Sequence, residues 1–120
     1  MKGGSEMLGK TLLALNEVMK DEYRMAVVKH GGTFSSAHEG YAVILEEIDE
    51  TKTDLEMLDV FAATLWEGVK SDTYTTEELL KRFRNRAIHA AGELIQVAAM
   101  VEKYKHSQDV WVEIEKDGAR

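Results

Sequence analysis

Three short motifs of one form constrain the fold of this chain more than anything else in it: Ser36-Ala-His-Glu39, Thr53-Asp-Leu-Glu56 and Thr75-Thr-Glu-Glu78. A hydroxyl residue followed three positions later by Glu is a capping box, in which the two side chains satisfy backbone N–H groups that the first turn of a helix leaves unpaired. Between these motifs, apolar residues recur at helical spacing. Leu8, Leu12, Leu15, Val18, Met19, Met25 and Val28 mark a first helix over about Met7 to Lys29, closed at His30-Gly31-Gly32 where glycine can take the left-handed conformation. A second helix is expected from Ala37, with Tyr41, Leu45 and Ile48 on one side. The Thr53 motif predicts a break near Thr51 to Thr53 and a third helix to Lys70, striped by Leu55, Leu58, Phe61, Leu65 and Val69. After a polar loop, Ser71 to Thr75, a fourth helix should run to about Lys105 with Leu80, Phe83, Ala87, Ala91, Leu94, Ala98 and Val101 as its dry face. The absence of proline suits uninterrupted helices. The expected class is all-α, a four-helix bundle.

The ends read differently. Residues 1–6, with Gly3-Gly4-Ser5, are expected to be a flexible lead-in to a helical domain over 7–106. In the tail, 107–120, the run Val110-Trp-Val-Glu-Ile-Glu115 alternates and reads as a short extended strand.

At 120 residues the chain is one domain with a modest core, so burial between copies in a homodimer or higher oligomer is expected. A hydrophobic fraction of 44% with 31% charged residues is that of a folded chain rather than a disordered one. The net charge of -7 argues against a nucleic-acid polymer as partner, because phosphate backbones are held by an excess of Lys and Arg. Without cysteine there is no disulfide, thiolate metal site or Cys nucleophile. Charge breaks every apolar run before it could span a membrane, and nothing resembles a signal peptide, so a cytoplasmic setting is the default expectation.

One block demands a ligand. In Glu46-Glu47-Ile-Asp-Glu50, Glu46 and Glu50 are one helical turn apart and Glu47 and Glu50 three residues apart, so the carboxylates share a side of the helix. Like charges so placed repel by roughly 0.2–0.5 kcal/mol per pair. A hard divalent cation, Mg²⁺ or Mn²⁺, would relieve them, and Glu93-Leu-Ile-Gln96 offers the second half of such a site.

The pair Glu46-Glu47-x-x-Glu50 and Glu93-x-x-Gln96 resembles the EExxE…ExxD signature of the MazG-like, all-α nucleoside triphosphate pyrophosphohydrolases. The flanks Phe34-Ser-Ser-Ala-His38-Glu-Gly-Tyr-Ala-Val-Ile-Leu and Glu93-Leu-Ile-Gln-Val-Ala-Ala-Met100 look like small bacterial and phage members, and the likeness covers roughly 30–105. The chain departs from the pattern at Gln96, where the family has Asp, and in the longer gap between Glu50 and Glu93. The resemblance implies Mg²⁺-dependent cleavage between the α- and β-phosphates of a nucleoside triphosphate, with Glu46, Glu47, Glu50 and Glu93 as metal ligands and Glu46 or Glu47 as general base.

Helical projection sets Arg82, Arg86, His89, Glu93 and Gln96 in one stripe. Arg82, Arg86 and Lys81 are candidates for the phosphate tail, His38 and His89 for a phosphate or a water, and Phe34 for the base. Gln96 either ligates the ion through its carbonyl oxygen or steadies Glu93 or the nucleotide by a hydrogen bond. The competing expectation is a catalytically degenerate helical module whose acidic patch binds a protein partner or a structural cation.

Overall fold

The computed structural model describes residues 2–118, with side chains from Glu6 onward. Among these residues the chain forms three α-helices and no strand: α1 Lys2–His30, α2 Ala37–Lys70 and α3 Glu77–Gly118. The boundaries follow the local chemistry. Gly31, at φ 88°, closes α1 by donating its N–H to the Val27 carbonyl at 2.9 Å. Ser36 caps α2, its Oγ accepting the Glu39 N–H at 3.1 Å. At the end of α2, Thr73 N–H reaches the Gly68 carbonyl and Asp72 N–H the Val69 carbonyl, a Schellman closure with Asp72 left-handed at φ 56°. α3 is capped by Thr76, whose Oγ1 accepts the Leu79 N–H at 3.2 Å, so the operative cap is one residue past the expected Thr75.

Three expectations are corrected. The break at Thr51 to Thr53 does not occur, and the expected second and third helices are one α2. The hydroxyls of Thr51 and Thr53 turn back to the carbonyls of Glu47 and Asp49 one turn earlier, at 3.0 and 3.3 Å. A capping box ends a helix only where the backbone leaves helical geometry, and with neither Gly nor Pro nearby the helical alternative wins. The tail expected to be a strand is helical to Gly118, because Trp111 anchors it: its Nε1 donates to the Phe34 carbonyl at 3.2 Å and its ring meets Tyr104 edge-on at 5.6 Å. The expected lead-in 1–6 is helical from Lys2; Met1 and the last two residues, 119–120, lie outside the described residues.

The chain divides into two compact units, Met1–Leu45 with Ile95–Arg120, and Glu46–Leu94. In the first, Phe34, Ala99 and Met100 form the core, flanked by Met19, Tyr23, Ala26, Val43, Ile44, Tyr104 and Trp111. Phe34 is its pin: its N–H donates to the buried Ser107 hydroxyl at 2.9 Å, and the ammonium of buried Lys103 sits 4.5 Å from its ring centre. Gly40 is required here, since a Cβ would come within 2.6 Å of the Tyr104 ring and 2.9 Å of Phe34.

The second unit is a helical hairpin, the last part of α2 against the first part of α3, joined by 71–76. Phe61 and Ala90 are buried in its seam, and the Phe61 and Phe83 rings stack obliquely at 5.8 Å. Two polar residues share that seam, Thr51 and Asp54.

Candidate metal centre

Within the hairpin, α2 carries Glu47, Glu50 and Asp54 at spacings of three and four, a single stripe along its inner edge. α3 answers with Arg82, Arg86, His89 and Glu93, again three or four apart. The two stripes meet at Glu47, Glu50 and Glu93, each of which offers a carboxylate oxygen within 4.8 Å of the others.

Electrostatics mark this trio as strained. Burial, then the charges of Glu50, Glu93 and Glu46, then a hydrogen bond with Glu93, hold the Glu47 carboxyl above its usual range. Glu50 is raised first by its hydrogen bond with Glu93 and next by that group's charge, with His89 opposing. Ionised carboxylates have no proton to donate to one another, so a cation between them would relieve their crowding. An all-oxygen, anionic donor set of this kind suits hard ions such as Mg²⁺ and Mn²⁺.

Beside the trio lies Asp54, which in the sequence borders the acidic group and reads as a surface residue, and which the structure instead buries. Asp54, only 2% exposed, accepts Arg86 Nη1 on one oxygen at 3.0 Å and faces His89 Nδ1 with the other at 2.7 Å. The hydrogen bond from His89 is the chief reason its carboxyl lies below the usual range; burial opposes this, and Arg86 reinforces it. The far nitrogen of His89, Nε2, is 3.8 Å from a Glu93 oxygen. Arg82, Asn85, Arg86 and His89 line an open groove of about 360 Å³ floored by Phe61. The signal for Asp54 was its spacing, four residues after Glu50 on the same face.

The remaining expected site residues have their own surroundings. Glu46 is exposed and is not one of the trio, though its charge helps to raise the Glu47 carboxyl. Lys81 is exposed and does not line the groove. Gln96 belongs to the first unit, where its amide donates to Glu22 of α1 at 2.7 Å, an engagement that explains why an amide can stand there. His38 is exposed on the first turn of α2, also in the first unit. Phe34, the base-binding candidate, is 2% exposed, with its ring in the core of the first unit.

No helix among the described residues is long and apolar enough to cross a membrane. Set against family models, curated proteins and solved structures, the chain matches none of them.

Proposed function

We propose that this chain is a Mg²⁺-dependent nucleoside triphosphate pyrophosphohydrolase of the MazG-like, all-α kind, converting a (deoxy)nucleoside triphosphate to the monophosphate and pyrophosphate. The observation that carries the reading is the convergence of Glu47, Glu50 and Glu93 from two helices, with Glu47 held above its normal range by burial and by the neighbouring carboxylates, and Glu50 chiefly by Glu93. Carboxylates so crowded are a cost to the empty fold, and a divalent cation turns that cost into affinity.

These three residues would hold the ion, which when bound neutralises phosphate oxygens and lowers the pKa of a water. The remaining work falls to the chain itself. Glu47, whose raised carboxyl is a stronger base than an ordinary glutamate, accepts the proton of the attacking water. Arg82 and Arg86 receive the anionic tail in the groove they line, where guanidinium donors match phosphate geometry. No side chain forms a covalent intermediate. A house-cleaning role on the nucleotide pool would set the protein in the cytosol.

Two copies complete the molecule in this reading. Leu8, Leu12, Leu13 and Val28 of α1 are all more than half exposed, an apolar load that a homodimer would cover. The degenerate-module alternative draws on one observation, that Gln96 is committed to Glu22 rather than adding a fourth carboxylate.

The test is a screen for pyrophosphate release over canonical and modified nucleoside triphosphates with Mg²⁺ or Mn²⁺. Release that a chelator abolishes and Glu50→Gln lowers at least a hundredfold is expected. No release from any triphosphate would leave the module reading in its place.

A further inference from the structure

Asp54 is the polar side chain that the proposed chemistry does not use, yet it is the most deeply buried charged group of the hairpin. A leucine in this seam would cover Phe61 and Ala90 without taking a charge out of water, so stability alone does not account for an aspartate. Both of its oxygens are spent on α3, one on Arg86 and one on His89. Both residues also line the groove: Arg86 is 36% exposed with most of its guanidinium N–H groups uncommitted to Asp54, and His89 is 62% exposed with Nε2 on the Glu93 side, 3.8 Å from that carboxylate.

We infer that Asp54 is a positioning residue that fixes Arg86 as a preorganised anion-receiving arm, with His89 held in one orientation beside it, so that it governs the binding of a polyphosphate chain it never touches. The inference rests on the pyrophosphohydrolase reading for the class of ligand. Its geometry is independent of any turnover. Arg carries rotamer entropy that must be given up when it grips a phosphate, and an arm already tethered at one end has given up part of it before the ligand arrives. The same tether sets the tautomer of a neutral His89: with Nδ1–H on Asp54, the lone pair is on Nε2.

Inorganic triphosphate, titrated calorimetrically into the full chain with Mg²⁺ present, is the probe. Asp54→Asn keeps the volume and loses the charge, and Asp54→Leu, which fills the seam with an apolar side chain, serves as the second variant. Both are expected to weaken triphosphate binding about tenfold or more, and in an Arg86→Ala, His89→Ala background Asp54→Asn should change it by less than about twofold, because the groups it holds are gone. For whichever nucleotide is turned over, KM should rise more than kcat falls. Wild-type binding in either folded Asp54 variant, an equal loss in the double-alanine background, or no binding of triphosphate by the wild type would overturn the inference. Asp54-dependent binding without hydrolysis of any nucleotide would keep Asp54 in this role and remove the pyrophosphohydrolase reading instead.

Discussion

At the scale of single residues, ionisation separates Glu47 from Asp54. A carboxyl whose folded pKa is raised stabilises the fold only while protonated, so the Glu47 contribution is present below its ordinary value of 4.5 and is lost as pH rises through the folded value. Asp54 has the opposite sign: its folded pKa is lowered from 3.8, so its contribution is present above that value and lost on acidification. In metal-free buffer, Glu47→Gln should therefore flatten the decline in stability above pH 4.5, and chemical denaturation of both proteins at several pH values measures it. Gln96 gives a second prediction. Its amide donates to Glu22, and Gln96→Asp would set two carboxylates against each other, costing about 1 kcal/mol by denaturant titration, with no gain in metal affinity. The sequence exposed Glu47 and Glu50 as one stripe by spacing, and Glu93 as their partner through the resemblance to the paired acidic motif. It hid the partners of Gln96 and Asp54, because a polar side chain in a helix seam is identified only by what lies across from it.

At the scale of elements, caps were more legible than interruptions. Ser36 and Gly31 act as their residue types suggest, since a cap is a local device. Thr53-Asp-Leu-Glu56 carries the same letters inside α2, where the threonine hydroxyls bond carbonyls one turn back and the helix continues. The tail shows the same limit: Val110 to Glu115 alternates, but Trp111 bonding to the Phe34 carbonyl is a tertiary contact that no periodicity reveals. Gly40 lies within α2, where alanine would ordinarily raise helix stability by about 1 kcal/mol. Its absent Cβ leaves room for Tyr104 and Phe34, whose atoms would be 2.6 and 2.9 Å away. Overpacking of that kind costs roughly 1–3 kcal/mol, so Gly40→Ala should destabilise by up to about 2 kcal/mol net in thermal or urea unfolding, against the helix-propensity trend.

At the scale of the whole molecule, apolar residues outnumber the places in which one copy can bury them. Leu13 and Val28 on α1 are 71% and 88% exposed. Light scattering across micromolar concentrations should report a dimer or larger species, and replacing Leu8, Leu12 and Leu13 by polar residues should shift it to monomer. The central claim is that Glu47, Glu50 and Glu93 are a cation site, and a melting curve with and without metal tests it most directly. A ligand held only by the native state stabilises it by mass action, about 2.7 kcal/mol at a hundred times Kd, which for a chain this size is on the order of a 10 °C rise in Tm. Millimolar Mg²⁺ or Mn²⁺ should raise the Tm of the wild type, and Glu47→Gln should lose that rise while melting, without metal, at the wild-type temperature or above it. A wild-type Tm that does not move with either ion would contradict the account.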